Sequence, residues 1–261
     1  GDLCGELEYS DTKKAIEVAR QALSLAKNES EEDISYCTNL IGLNYIYSEQ
    51  YDSALFYLQK TYDLAFSKKD TAFMSKAINN IGFVYINLGQ YNKGLSKMKE
   101  SGKLDYAFGD MSGAAISFMN VGSLQVQLDE FKEARANLMQ ALEIFQSLGE
   151  KENEANVYLS LGAVEVSDGN INDGKTYFFK AISIQEAQND LDGVARSYSN
   201  LAYSFRQQKK LKIALIYDLK SLEYADKLNS PRAKESAYKG MALTYEGMGD
   251  FKSALDNYKI Y

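Results

Sequence analysis

Three asparagines, Asn80, Asn120 and Asn200, fall in one recurring register of the sequence, and the cations Lys76, Arg196, Arg206 and Lys239 stand near it. These are groups that recognise rather than break bonds. A carboxamide donates and accepts hydrogen bonds, as a peptide group does, and a guanidinium can hold a carboxylate through two parallel N–H groups. Bond-breaking chemistry has little to work with. The chain of 261 residues has no histidine, so the usual general base and the commonest metal ligand are both missing. Its two cysteines, Cys4 and Cys37, are too few and too far apart for a zinc site. Whether they pair or stay as thiols is open, because pairing needs geometry. With no nucleophile–base constellation, glycine-rich phosphate loop or metal motif, the chain reads as a non-enzyme without a cofactor.

Composition narrows the class further. The chain is 45% hydrophobic and 25% charged, which fits a folded protein that is neither disordered nor membranous. No apolar run approaches the roughly 18 residues that span a bilayer. A net charge of −7 disfavours non-specific attraction to nucleic acid or an anionic membrane. The sequence starts at Gly1 without a signal-peptide pattern, so it reads as a processed product or a cloned fragment, cytoplasmic or extracytoplasmic (periplasmic).

The elements that position these side chains are read from an internal period. Gly42, Gly82, Gly122 and Gly162, followed by Ala202 and Ala242, share one constant interval of forty positions. The preceding residue is always apolar: Ile41, Ile81, Val121, Leu161, Leu201, Met241. Twelve positions after the glycine the residue is small: Ala54, Gly94, Ala134, Gly174, Ala214, Ala254. Ser30, Asp70, Asp110, Glu150, Asp190 and Ser230 recur where helix N-caps are expected, Glu150 being the weak member. Gly89, Gly169 and Gly249 stand where a helix should stop. Each unit therefore predicts a helix A, at 71–88 in the second unit, a short turn, and a helix B at 91–108. Pro231 is the lone proline, as suits a nearly all-helical chain. The small positions, one on each helix, let the two backbones approach closely, which offsets glycine's poor helix propensity.

Ile81-Gly82-Phe83-Val84-Tyr85, followed by small-then-apolar pairs such as Ala134 and Leu138, resembles the tetratricopeptide repeat. The resemblance runs through repeats at about 30–69, 70–109, 110–149, 150–189, 190–229 and 230–261, forming a single array over 1–261. A B-like helix precedes them at 11–28 with Ala15 at its small position, and the last repeat is truncated, so the native protein is expected to continue. The family's closing proline is replaced by Phe66, Tyr106, Gln146, Glu186 and Asp226, and longer helices should absorb the extra residues. Such long repeats are similar to those of kinesin light chains and bacterial peptide-sensing regulators. Gln125 and Glu165 replace the usual aromatic, and looser packing is expected there. The resemblance implies an all-α fold, an α-solenoid whose antiparallel helix pairs wind into a right-handed superhelix with a concave wall.

By the same resemblance, the helix A positions six, three and two before the glycine and one, four and five after it line the groove. The candidate partner-binding residues are Lys76, Asn79, Asn80, Phe83, Asn120, Arg196, Asn200, Tyr203, Arg206 and Lys239, with Tyr36 and Tyr47 adding aromatic area. Because Glu246 is the only acid on this face, a groove of positive charge is expected, suited to an acidic segment or a free C-terminal carboxylate. Most of the 20 tyrosines, among them Tyr45, Tyr85 and Tyr245, should be core. The acidic stretch at 27–36 reads as a solvated turn. The function implied is a protein- or peptide-binding scaffold, the sensing part of a larger bacterial signalling or transcription regulator. The alternative is a module for self-assembly or intramolecular docking with no external ligand.

Overall fold

A computed structural model describes residues 16–21 and 31–260. Cys4, Ala15, Ser30 and the remainder of 11–28 lie outside the described residues, so the Cys4–Cys37 pairing and the Ser30 cap do too. Every described element is helical: a short segment at 16–21, then α1 (Glu31–Tyr47), α2 (Tyr51–Lys68), α3 (Thr71–Asn87), α4 (Tyr91–Phe108), α5 (Met111–Gln127), α6 (Phe131–Leu148), α7 (Lys151–Ser167), α8 (Ile171–Ala187), α9 (Leu191–Gln207), α10 (Leu211–Leu228), α11 (Pro231–Met248) and α12 (Phe251–Ile260). The expected 71–88 and 91–108 hairpin is α3 and α4, one residue shorter at the first C-terminus.

The chain forms two compact units divided at Leu124 and Gln125, within α5. In the first, α1, α2, α3 and α4 each pack on the next, and α1 also touches α3. Ile16 and Ala19 join Cys37, Leu40, Ile41 and Tyr45 of α1 in one buried cluster with Ala54 and Leu58. In the second, α6 to α12 pack in chain order, and alternate helices touch from α7 to α9 and from α9 to α11. Each unit is thus a stack of antiparallel hairpins on the helical-repeat plan.

Helix ends obey a finer period than the sequence displays. Glu49, Lys69, Gly89, Gly109, Asp129, Gly149, Gly169, Asn189, Lys209, Asn229 and Gly249 all have positive φ and are evenly spaced, two to each repeat. Helix A and helix B are therefore equal half-repeats, each closed by one left-handed residue. The following N–H then reaches back five residues, as from Gln90 to Tyr85 O at 2.8 Å and from Asp110 to Asp105 O at 2.9 Å, satisfying carbonyls that the helix end would orphan. Helix starts are capped as read: Asp70, Asp110, Asp190 and Ser230 accept from Phe73, Gly113, Gly193 and Ala233 N–H. Glu150 makes no such bond.

The repeated glycine marks a close crossing. A Cβ on Gly82 would lie 3.2 Å from both Gly94 O and Met98 Cγ, and one on Gly94 would lie 3.0 Å from Gly82 O. In the second unit a Cβ on Gly174 would meet Gly162 O at 2.9 Å. The partner sixteen positions on matters as much. A Cβ on Gly42 would lie 2.7 Å from Leu58 Cδ2, and one on Gly162 would collide with the Phe178 ring. Leu58, Met98 and Phe178 are each at most 1% exposed, so the glycine is the socket for a large B-helix side chain.

Packing at Gln125 and Glu165 differs from the looser arrangement expected. Gln125 is buried, donating to Glu130 at 3.1 Å and accepting from Asn137 at 2.7 Å. Glu165 is 5% exposed and held by Arg135 through bonds of 2.6 and 2.9 Å, with Asn170 donating a third at 3.0 Å. Arg135 keeps this carboxyl below its ordinary value against the opposing effect of burial. Polar side chains of matching length fill the space an aromatic would occupy.

Two stability outcomes follow from this geometry. Gly82→Leu overpacks the Gly94–Met98 crossing and should cost about 1–3 kcal/mol, read by chemical denaturation. Lys209→Gly should stabilise by about 1 kcal/mol, because an L-residue in the left-handed region carries a penalty of that order. An unchanged midpoint in either case contradicts the corresponding assignment.

Candidate functional site

In the first unit the asparagines form a ladder. Asn80 Nδ2 donates to Asn39 Oδ1 at 3.0 Å, and Asn120 Nδ2 donates to Asn79 Oδ1 at 3.4 Å. Each rung joins the third residue before one glycine to the second residue before the next, so it clips consecutive A helices together. A carboxamide has two N–H donors and two acceptor lone pairs, and each rung uses one donor and one acceptor. Asn79, Asn80 and Asn120 are half-buried, with an edge toward solvent, whereas Asn39 is buried. On the same face Phe83 is exposed, and Lys76 Nζ lies 5.2 Å from the centre of the Phe73 ring. Tyr36 and Tyr47 of α1 are exposed as well.

In the second unit α9 presents Arg196, Asn200 and Tyr203, and α11 presents Lys239, which is exposed. Asn200 is half-buried, and its side chain makes no hydrogen bond among the described residues. Tyr203 is 51% exposed. Arg196 Nε pairs with Asp192 at 3.2 Å, one helical turn earlier, and both side chains are half exposed.

Arg206 has a different environment from the one its register suggests. Its Nη1 lies 2.9 and 2.8 Å from the two Asp218 oxygens, 3.0 Å from Thr244 Oγ1 and 3.3 Å from Gly240 O. Thr244 in turn donates to Asp218 at 2.5 Å, so one polar knot ties α9, α10 and α11. The cause lies one repeat back. Asp218 occupies the position of Leu58, Met98, Leu138 and Phe178, the buried knob of each earlier B helix, and is itself 1% exposed. Burial pushes its carboxyl up, and Thr244 and Arg206 oppose that. Gly240 completes the fit, since a Cβ there would lie 2.6 Å from Asp218 Oδ1. Its failure to match the asparagines at this repeat position is thereby explained.

Sequence reasoning named the charged and carboxamide residues and missed the hydroxyls and cations that complete their surroundings. Ser199 and Ser236 sit at register positions of the predicted face, three before Ala202 and six before Ala242, but carry no charge to draw attention. Arg232 and Ser221 reach the same region from the start of α11 and from α10, which no single-helix register reveals. A hollow of about 690 Å³ in the first unit, lined by Leu55, Phe56, Lys60, Tyr85 and Lys97, was also unforeseen.

Hairpins of constant phase, with a crossing glycine and a recurrent polar face, define an all-α helical-repeat protein of the solenoid class. Residues 115–148 match the family model described as tetratricopeptide repeat, and the helical-repeat fold of the chain is similar to that of solved proteins with such repeats. No curated protein matches it by sequence. Among solved structures, the apo form of RapI is similar over 98% of this chain and 92% of its own, with a TM-score of 0.71 and 19% identity. A Rap protein complexed with Competence and Sporulation Factor is similar over 95% and 77%, with a TM-score of 0.66 and 13% identity. A signal transduction ATPase of Pyrococcus horikoshii with a tetratricopeptide repeat sensor is similar over 87% of this chain and 35% of its own, with a TM-score of 0.67 and 21% identity. At these identities the likeness is one of fold.

The Arg206–Asp218 knot has a measurable signature. Arg206→Met leaves Asp218 buried without its cation and should cost about 3–5 kcal/mol. Adding Asp218→Leu restores the apolar knob of the earlier repeats and should recover most of that loss in urea denaturation. A double variant no more stable than the single one contradicts the knot as drawn.

Proposed function

We propose that the recurrent face of the A helices binds a protein or peptide partner, as the interaction part of a larger bacterial signalling or transcription regulator. The asparagine ladder carries this reading. Its rungs repeat along the stack and each leaves donor and acceptor capacity toward solvent, the pairing an extended peptide backbone needs. Phe83 and Tyr203 stand immediately after the crossing glycine or alanine in their repeats, and their exposure adds the aromatic area common at interfaces. Lys76, Arg196 and Lys239 supply cations, and Arg206 supports the stack from within. The apo RapI and Rap complex structures lend the reading a fold precedent, because the second is complexed with Competence and Sporulation Factor.

Self-assembly is a second reading with its own observation. Phe56 and Phe66 on α2 and Tyr106 and Phe108 on α4 are all more than 60% exposed. A large apolar surface of this kind commonly marks an interface.

Affinity capture from cell extract compares the wild type with two variants. One carries Asn80→Ala, Asn120→Ala and Asn200→Ala; the other carries Phe83→Ala and Tyr203→Ala and leaves the ladder intact. Both should lose a shared partner at least tenfold while retaining helical dichroism. Equal recovery of every partner by all three proteins defeats groove recognition, and recovery of the chain's own second copy alone favours self-assembly.

A further inference from the structure

Two hollows of opposite charge adjoin each other in the second unit and share one wall, the Asp192–Arg196 pair. The first, about 290 Å³, is lined by Arg196, Arg232, Ser199, Ser221 and Ser236 together with Asp192. The second, about 470 Å³, is lined by Glu152, Asp190, Asp192 and Gln188 together with Arg196. Side chains from α7, α9, α10 and α11 and the turn before α9 converge here, so the arrangement belongs to the stack and not to one helix.

The first hollow is equipped for a single negative charge. Arg196 engages Asp192 through Nε, and its two terminal nitrogens make no hydrogen bond among the described residues. Arg232 makes no ion pair or hydrogen bond among them, and it is exposed. On the floor, the Ser199 and Ser221 hydroxyls lie 2.9 Å apart, with Ser221 only 1% exposed. One of those two hydroxyl hydrogens closes the pair, and the other remains for a ligand. Two guanidiniums against one aspartate leave one positive charge, which a carboxylate matches and a dianion exceeds.

The second hollow has the opposite balance. Glu152, Asp190 and Asp192 face the single guanidinium of Arg196. Asp190 Oδ1 accepts from Gly193 N–H as a helix cap. A cation is the natural occupant. Asp192 and Arg196 are one helical turn apart, about 5–6 Å between their Cβ atoms. In an extended peptide, side chains two residues apart leave the same side with a spacing of about 6.6 Å.

We infer that these paired hollows form a site for a peptide carrying an acid and a base two residues apart, a carboxylate seated between Arg196 and Arg232 and an ammonium or guanidinium beside Glu152 and Asp192. The inference rests on the reading that α9's exposed face receives polypeptide, and it refines the simple expectation of an acid-seeking groove. Selectivity comes from rejection as much as attraction. A second acid meets Glu152 and Asp192, and a second base meets Arg232.

Fluorescence anisotropy with labelled heptapeptides tests it at low ionic strength, where exposed charges are least screened. The probes contain Lys-Ala-Glu, Glu-Ala-Lys, Lys-Ala-Lys and Glu-Ala-Glu cores in one glycine–alanine frame. One mixed-charge probe should bind at least tenfold tighter than both like-charge probes, and Arg232→Glu should shift the preference to Lys-Ala-Lys. Equal binding of all four, binding of none, or indifference to Arg232→Glu overturns the site. Loss of partner in the asparagine and aromatic variants is read by capture with Arg232 intact, so failure here and failure of groove recognition remain separable.

Discussion

The close crossing of helix A over helix B is the contact from which the rest of the structure takes its shape. At Gly82 and Gly162 the two backbones come near enough that a methyl group would touch a carbonyl oxygen or the side chain sixteen positions on. A crossing that tight fixes both the separation of the pair and the height at which Met98 or Phe178 enters the socket. Protein interiors are packed too densely to absorb a slip of one turn. The equal half-repeats, each closed by a left-handed residue, return the chain to the same crossing in each hairpin. Repeated local geometry, summed between neighbours, is how such arrays reach stability.

Against that apolar frame, the polar intrusions stand out. Glu165 with Arg135 and Asp218 with Arg206 are carboxylates at positions where other repeats place an apolar or aromatic residue, each matched by a guanidinium from a neighbouring helix. Replacing such pairs with apolar side chains often leaves stability unchanged or higher, whereas removing one partner is costly. Their effect is to distinguish repeats that otherwise share one pattern. They also withdraw a cation from the exposed face, since Arg206 is held inside by three neighbours.

What remains on the exposed faces differs between the units. In the first, carboxamide rungs and aromatic rings offer a surface suited to backbone and apolar contact. In the second, charges are gathered into adjoining hollows of opposite sign around Asp192 and Arg196. A uniformly positive groove is therefore not the electrostatic picture of α9 and its neighbours. Of the tyrosines expected in the core, Tyr45 is buried, whereas Tyr85 and Tyr245 are half-buried. Tyr198 stacks on Tyr217, which stacks in turn on Phe205, while the expected core residue Tyr45 stacks on Tyr57.

Helix positions, caps and the crossing glycines could be read from the residues because each depends on neighbours within a few turns of the same hairpin. Asp70 before a helix and Gly89 after one state their roles in their own chemistry. The left-handed turns at Glu49, Lys69 and Lys209 could not be read, because these residues are poor at that conformation and adopt it where the hairpin compels them. The fate of Arg206 was equally hidden. Its register placed it on the ligand face, and only the stacking of three helices brought Asp218 and Thr244 within reach of it. Local sequence determined where each helix begins, ends and crosses its partner. The tertiary structure decided which polar side chains meet, because groups on different helices, some a whole repeat apart in the chain, are neighbours only after the hairpins have stacked.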